Sequence, residues 1–280
     1  MENKKIMSVQ DISCYGQCSL TVALPILSAF GYETAILPSA VLSTHTAGFK
    51  DFTVRDLTDD LDAIVAHWNR ENIGFDCIYT GYLGSIKQID IVADIIKDFK
   101  TEKSFSIVDP AMADNGKLYA GFDTNFAAAM AKLCGKADYI VPNLTEASFM
   151  LGIPYVASGY DEAYIKDVLK KLTALGAKVA LLTGVSFDGK TLGAYGYNSA
   201  KDEYFSYFRE YLPVSYHGTG DVYASAFCGA LSAGKTDSEA ATIAVDYTVQ
   251  CIIETMKDEN RRFYGVNFES AIPYLIEKLK

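Results

Sequence analysis

The sequence predicts an α/β protein with a central, mainly parallel sheet and helices on both of its faces. Apolar segments of strand length alternate along the chain with longer segments of helical periodicity, beginning with strand, loop and helix over residues 6–30. Strands that alternate with helices pair in parallel through right-handed crossovers. Because half of the 280 residues are apolar and no repeat or linker interrupts them, we expect one domain over residues 1–280.

The predicted strands are short and apolar, at residues 6–10, 33–38, 75–80, 105–108, 139–141 and 179–183. The predicted helices have one apolar face, at residues 19–30, 55–72, 85–99, 125–134 and 161–175. Two aromatic-rich segments, 191–197 and 203–208, predict an antiparallel pair. We expect a polar loop over 39–52, an irregular segment over 112–122 and an almost entirely helical chain after residue 221.

The composition limits the kinds of molecule that the protein can bind. The formal net charge is −10 and no block of basic residues occurs, which argues against a nucleic-acid or anionic-membrane surface and favours a small ligand. The N-terminal residues lack the apolar core of a signal peptide, and no apolar run is long enough to cross a bilayer, so we expect a cytoplasmic protein. The six cysteines form no Cys-x-x-Cys pair, which predicts free thiols.

A glycine-rich turn, Gly218-Thr219-Gly220-Asp221, leads into an apolar helix of small residues. Glycines let the N–H groups of such a turn converge on one point, where the helix dipole also attracts an anion such as a transferring phosphoryl group. Asp221 then has two interpretations: it caps the helix, or it accepts a proton from an attacking hydroxyl. The helix dipole predicts a lowered pKa for this carboxyl, hence a weak base.

Polar residues cluster at the predicted carboxyl ends of the strands, where ligands bind in parallel sheets. They are Asp11, Tyr82, Asp109, Asn143, Glu146, Thr183 and Asp221. This convergence favours the catalytic interpretation of Asp221 over the capping one.

Three carboxylates, Asp109, Asp114 and Glu146, predict a Mg²⁺ site of the kind that also binds phosphates. Each also has a structural alternative. Asp109 precedes a proline and would suit a turn, Asp114 begins an Asp-Asn-Gly turn, and Glu146 could form a capping box with Asn143.

Two loops are candidate covers for a ligand. His45 and Thr46 lie in a loop that is longer than a connection needs, although a plain surface loop is the alternative. Glycines at 116 and 121 flank Tyr119 and suit a hinged lid that excludes water. The phosphate-binding Gly-x-x-x-x-Gly-Lys-Ser/Thr motif is absent, and no Gly-x-Gly-x-x-Gly follows the first strand, which argues against P-loop enzymes and classical dinucleotide dehydrogenases.

The sequence resembles the ribokinase superfamily, and within it the pyridoxal (vitamin B6) kinase branch, over nearly its whole length. The motifs that carry the resemblance are Gln10 to Gly16, Ser43 to Thr46, Gly81 to Ser85, Asp109 to Met112, Pro142 to Glu146 and Gly218 to Asp221. The resemblance implies a single ribokinase-like domain, commonly a homodimer. It also implies ATP-dependent phosphorylation of the 5′-hydroxymethyl group of pyridoxal, pyridoxine or pyridoxamine.

Residue roles follow from the same resemblance. It implies that Asp221 is the base and that the amides of Gly218, Thr219 and Gly220 hold the phosphoryl group. It implies further groups for the substrate, the nucleotide and the metal: Asp11, His45, Thr46 and Tyr82 near the pyridine ring; Asp109, Asn143, Thr183 and Tyr119 for ATP; Asp114 and Glu146 for Mg²⁺. A monovalent cation is left open as an activator.

One position departs from the B6 kinase pattern. Asp11 stands where those kinases have a serine, and Ile12 where they have a histidine. A carboxylate can accept a hydrogen bond from a protonated pyridine nitrogen or an amine, which is compatible with a B6 vitamer. An acidic residue here also resembles the hydroxymethylpyrimidine kinases of thiamine synthesis, whose substrate carries an exocyclic amine. Kinase activity on that pyrimidine and a non-catalytic ligand-binding homologue therefore remain the alternatives.

Overall fold

The structure is a computed structural model, and it describes residues 4–279. Residues 1–3, part of the segment in which no signal-peptide core is predicted, and Lys280, the predicted end of the last helix, lie outside the described range. The contacts of the backbone divide the chain into two compact units. The first unit comprises Met1–Gly84 and Leu212–Lys280, and the second comprises Ser85–Tyr211.

The strands, in chain order, are β1 (Lys5–Ser13), β2 (Glu33–Leu42), β3 (Val54–Asp56), β4 (Cys77–Thr80), β5 (Phe105–Val108), β6 (Ala113–Asp114), β7 (Lys117–Leu118), β8 (Tyr139–Ile140), β9 (Val179–Val185), β10 (Thr191–Asn198) and β11 (Glu203–Glu210). The helices are α1 (Leu20–Ala29), α2 (Thr58–Arg70), α3 (Ile86–Phe99), α4 (Thr124–Cys134), α5 (Leu144–Leu151), α6 (Glu162–Ala174), α7 (Thr219–Ser232), α8 (Asp237–Lys257) and α9 (Phe268–Lys278).

In the first unit, β1 pairs in parallel with both β2 and β4, and β2 pairs antiparallel with the short β3. Every residue from Val222 to Ala230 in α7 is buried, which explains its small and apolar composition. The N-terminus of this buried helix is therefore held firmly in the unit, and it carries the glycine-rich turn.

In the second unit, β5, β8 and β9 pair in parallel, and β10 pairs antiparallel with both β9 and β11. Strands β6 and β7 form a separate small hairpin. The antiparallel pair predicted from the aromatic pattern is confirmed as β10 and β11. Both units combine parallel strands with helices, as the predicted α/β class requires.

The structure corrects the sequence prediction at two connections. Strand β2 continues beyond Pro38 to Leu42 and pairs with β3, where we expected a loop and the start of a helix. Proline cannot donate to a sheet, but here it lies beside a register shift between Gln10 and Ile12 of β1, which makes it tolerable. Residues 258–267 separate α8 from α9, a longer break than the almost entirely helical chain that was expected there.

All six cysteines are free, as predicted. Cys77 and Cys228 bring their sulfur atoms to 3.6 Å in the core of the first unit. Over residues 4–279, no helix combines the length and the apolar character needed to cross a bilayer.

Candidate active site

The glycine-rich turn begins α7 with Gly218 as the N-cap residue. Its φ of +79° lies in the left-handed region, and a Cβ atom on it would lie 1.8 Å from the carbonyl oxygen of Gln17. Only glycine fits this close approach. Asp221 lies three residues further along, in the first helical turn, so the interpretation of Asp221 as the N-cap is wrong.

Gly220 is a glycine that the fold itself does not require. It has no positive φ, and a Cβ atom placed on it would meet no protein atom within 4 Å. Its amide lies in the first turn of α7, where N–H groups have no partner within the helix. The space beside Gly220 is therefore free for a ligand, and the helix terminus favours an anion there.

Asp221 is half-buried as a residue, and its carboxyl is the part that is shielded from solvent. Burial raises the pKa of this carboxyl to about 7, the Ser19 N–H opposes the rise, and the negative charge of Asp11 adds to it. The expected lowering by the helix dipole is thus wrong, because loss of solvation outweighs the dipole. With a pKa near neutrality, Asp221 is a better base than the sequence suggested.

Asp11 lies in β1 and is almost fully buried. Its carboxylate accepts a hydrogen bond from the Ser13 hydroxyl at 3.0 Å. Burial raises the pKa of Asp11, while the side chains of Ser19 and Ser13 lower it. Tyr82 is half-buried, and its pKa is raised by burial and then by the Asp11 charge. Asp11, Tyr82 and Asp221, predicted from three distant motifs, thus belong to one electrostatically coupled cluster.

Both ring nitrogens of His45 form hydrogen bonds with backbone groups of loops. Nε2–H donates to the carbonyl of Tyr264 at 2.8 Å, and Nδ1 accepts from the Ala47 N–H at 3.2 Å. Burial lowers the pKa of His45, so the ring is neutral at neutral pH. His45 therefore fastens the 43–53 loop to the 258–267 connection. The adjacent Thr46 is exposed, and its contact with a substrate remains a prediction.

Two residues near these side chains, Tyr264 and Ser19, were not predicted from the sequence. Tyr264 lies in the unexpected break between α8 and α9, and its hydroxyl and that of Tyr15 are 2.9 Å apart. The polar run from Asp258 to Arg262 was the available signal for that break. Ser19 precedes a helix, where serine is usually read as an N-cap, so nothing in the sequence distinguished it.

In the second unit, Asn143 and Glu146 form the capping box that was predicted as the structural alternative. The Asn143 Oδ1 accepts from the Glu146 N–H at 2.9 Å, and its Nδ2 donates to the Ala113 carbonyl. The Glu146 carboxylate accepts from the N–H groups of Asn143 at 2.8 Å and Met112 at 3.2 Å. Both side chains therefore shape the backbone around the β6–β7 hairpin.

The three carboxylates predicted to bind Mg²⁺ lie in different environments, and their role in metal binding stays a prediction. Burial, and then the charge of Asp109, raises the pKa of Glu146 well above its ordinary value. Asp114 is exposed and accepts hydrogen bonds from Asn115 in a tight turn. Among the residues that the structure describes, no three acidic, histidine or cysteine side chains are placed to hold a metal ion.

The remaining residues assigned to ATP present accessible groups. Thr183 is half-buried beside Asn143, to which it forms a parallel bridge, and its N–H donates to the Pro142 carbonyl at 3.0 Å. Tyr119 is 42 % exposed at the end of the β6–β7 hairpin. A role in nucleotide binding remains a prediction for these two residues and for Asp109, as does the hinged lid.

Comparison with known proteins agrees with this architecture. A family model described as phosphomethylpyrimidine kinase matches residues 27–264. Among curated proteins, the pyridoxal kinase of Dictyostelium discoideum is 28% identical over 244 residues, covering 80% of this chain and 77% of that protein.

Solved structures are similar over almost the whole chain. A Bacteroides thetaiotaomicron protein, described as a candidate phosphomethylpyrimidine kinase and solved with pyridoxal, is 39% identical with a TM-score of 0.93, covering 98% of this chain and 96% of that one. Pyridoxal kinase from Lactobacillus plantarum is 30% identical with a TM-score of 0.90, covering 98% and 97%. These similarities confirm the ribokinase-like fold that the sequence predicts.

The proximity of the two buried carboxyls generates a prediction. Replacing Asp11 by Asn removes a negative charge that favours the protonated form of Asp221, so the Asp221 titration midpoint moves from about 7 to a lower pH. The measurement is a carboxyl titration by ¹³C NMR on aspartate-labelled protein, with Asp221→Asn identifying the signal.

The matched control is Asp76→Asn, at the opposite end of the β1–β4 pair, where Asp76 accepts a hydrogen bond from the Lys5 N–H. This variant leaves the Asp221 midpoint in place. A midpoint that stays unchanged in Asp11→Asn would show that the two carboxyls do not interact.

Proposed function

Because this chain belongs to the phosphomethylpyrimidine kinase family, we propose that it transfers the terminal phosphoryl group of ATP to the 5′-hydroxymethyl group of pyridoxal, pyridoxamine or pyridoxine. The observation that carries the proposal is the Asp221 carboxyl, which has a pKa of about 7 in the first turn of α7 beside the glycine-rich amides. A base tuned to neutral pH next to an anion-binding turn suits phosphoryl transfer to an alcohol.

The chemistry assigned to these residues is simple. Asp221 accepts the proton of the 5′-hydroxyl as the oxygen forms its bond to the γ-phosphorus, and the bond from that phosphorus to the bridging oxygen of ADP breaks. The amides of residues 218–221 hold the negative charge of the transferring group. A base with a pKa near 7 is partly deprotonated at neutral pH and still binds the proton well enough to assist the transfer.

For the vitamer, Asp11 and Tyr82 are the proposed contacts. The Asp11 carboxylate is suited to accept a hydrogen bond from a protonated ring nitrogen or an amine, and the Tyr82 ring is suited to pack on the pyridine. Thr46 extends this set from the 43–53 loop. His45 acts indirectly, because both of its nitrogens already bind the backbone.

For the nucleotide, Asp109, Asn143, Thr183 and Tyr119 of the second unit are the proposed contacts. Asp114 and Glu146 are the proposed residues for Mg²⁺, which would bind mainly through phosphate oxygens and water. A monovalent cation as activator, a homodimeric assembly and a cytoplasmic location belong to the same proposal and rest on the resemblance and composition.

The hydroxymethylpyrimidine alternative is not favoured. The relative described as a candidate phosphomethylpyrimidine kinase was solved with pyridoxal, and the Dictyostelium and Lactobacillus relatives are named pyridoxal kinases. The amine-accepting carboxylate at position 11 is compatible with either substrate, so it does not discriminate between them.

Substrate preference tests the proposal. With ATP and Mg²⁺, we expect kcat/KM for the best of pyridoxal, pyridoxamine and pyridoxine to exceed that for hydroxymethylpyrimidine by at least about tenfold, equivalent to about 1.4 kcal/mol of transition-state stabilisation. The product is identified by mass spectrometry as the 5′-phosphate. Preference for the pyrimidine would overturn the assignment, and no turnover in protein shown to bind ATP would indicate a non-catalytic homologue.

The two glycines of the turn provide a second test. Gly220→Ala should fold normally, because the new methyl group meets no protein atom, but it should lower kcat by at least about tenfold by obstructing the phosphoryl group. Gly218→Ala should instead lower the melting temperature, because its methyl group would collide with the Gln17 carbonyl. Thermal unfolding and steady-state kinetics distinguish the two, and full activity in Gly220→Ala would contradict an anion site at that amide.

A further inference from the structure

Gln17 lies against the glycine-rich turn, in the connection from β1 to α1. Its carbonyl oxygen is the atom that excludes a Cβ atom at Gly218, and the sulfur of Cys18 lies 3.8 Å from the same position. Gly218 has no side chain of its own to anchor it, so the backbone packed against it determines where it lies. The location of the turn therefore depends on the contacts that hold Gln17.

The contacts that hold Gln17 come from residues 264–269. Its backbone N–H donates to the carbonyl of Tyr264 at 3.3 Å, and its Nε2–H donates to Oε1 of Glu269 at 2.9 Å. Its side chain packs on the backbone of Gly265, where an added Cβ atom would lie 2.1 Å from the Cβ of Gln17. Two hydrogen bonds and one close packing contact thus fix Gln17 to the start of α9.

The start of α9 is itself held in the core of the first unit. The buried hydroxyl of Tyr247 in α8 donates to the carbonyl of Phe268 at 3.0 Å, and Phe268 is 2% exposed. The backbone N–H of Asn267 donates to the buried hydroxyl of Thr255 at 2.7 Å. Buried hydrogen bonds of this kind are costly to break, so they keep the support of Gln17 in a fixed place.

The same support reaches the loop that carries a predicted vitamer contact. The carbonyl of Tyr264, which accepts from Gln17, also accepts from Nε2–H of His45 at 2.8 Å. The His45 ring lies on Gly16, where an added Cβ atom would be 2.2 Å from Cδ2. The 43–53 loop and the segment behind the glycine-rich turn are therefore anchored on one carbonyl group.

We propose that Gln17 is a positioning residue, which holds the glycine-rich turn where its amides receive the transferring phosphoryl group. This inference rests on the proposed function. Gln17 acts through Gly218 and has no direct contact with a substrate in this role. Since the turn binds the phosphoryl group most strongly during transfer, a displaced turn lowers kcat and leaves KM for both substrates unchanged.

An exchange of the groups at positions 17 and 269 tests the hydrogen bond between them. Gln17→Glu places a carboxylate against that of Glu269, which also faces Arg262 at 3.7 Å. We expect the repulsion to lower kcat about fourfold, while KM for ATP and for pyridoxal stays within about twofold of wild type. The melting temperature should stay within about 2 °C of wild type, because the contact is exposed.

The matched variants are Glu269→Gln and the double variant Gln17→Glu/Glu269→Gln. Glutamine at position 269 still offers an oxygen to the Gln17 amide, so Glu269→Gln alone should keep kcat within about twofold of wild type. In the double variant, the donor and the acceptor change places and the hydrogen bond is restored. We therefore expect kcat of the double variant to return to within about twofold of wild type.

Gly265→Ala tests the packing contact, because its methyl group would collide with the Cβ of Gln17 and displace that residue. The matched control is Gly31→Ala. Both glycines have a positive φ, +154° and +88°, so alanine is strained at both positions, but an added Cβ at Gly31 meets no atom within 4 Å. Both variants should melt at a lower temperature, whereas only Gly265→Ala should lower kcat, by at least about tenfold.

Two kinetic results would overturn the inference. One is a kcat within twofold of wild type in both Gln17→Glu and Gly265→Ala. The other is a loss in Gln17→Glu that Glu269→Gln does not reverse.

If wild-type protein phosphorylates no vitamer, the proposed function fails, and NMR still tests the positioning. The probe is the amide signal of Gly220 in protein labelled with ¹⁵N-glycine, identified by its loss in Gly220→Ala. We expect this signal to shift in Gln17→Glu and to return in the double variant with Glu269→Gln. A Gly220 signal that stays in place in both Gln17→Glu and Gly265→Ala would contradict the inference.

Discussion

The burial of the Asp221 carboxyl is the constraint on which the chemistry of the first unit depends. Gly218 allows the N-terminus of α7 to approach the β1–α1 connection so closely that a methyl group would not fit. In the turn that follows, the Asp221 carboxyl is shielded from water and interacts with a second buried carboxyl, Asp11.

Magnitudes explain why burial prevails over the helix dipole. A change of the Asp221 pKa from 3.8 to about 7 corresponds to about 4 kcal/mol in favour of the protonated form. A helix N-terminus stabilises a nearby anion by about 0.3–1 kcal/mol, and by about 2 kcal/mol in favourable buried geometries. The sequence revealed the helix terminus but not the depth of burial, so the predicted direction of the shift was wrong.

The sequence predicted most elements of the fold because strands and helices of this length alternate with clear periodicity. It also placed Asp11, Tyr82 and Asp221 near one another, and the structure shows that Asp11 interacts electrostatically with the other two. Their contacts with a ligand stay predictions. It missed β3, because Pro38 suggested the end of β2 although that strand continues to Leu42 and pairs with β3. It also missed Tyr264, which lies in a break between two helices. The strained backbone of Ser19 could not be predicted either, because a positive φ at a residue other than glycine has no sequence signature.

The most direct test of the account is the rate of phosphoryl transfer in Asp221→Asn, measured by rapid quench in a single turnover with ATP and pyridoxal. Asparagine keeps the size of the side chain but cannot accept the proton. With vitamer binding and melting temperature retained, we expect a loss of about a thousandfold in the transfer rate. A transfer rate within tenfold of wild type would contradict the assignment of Asp221 as the base.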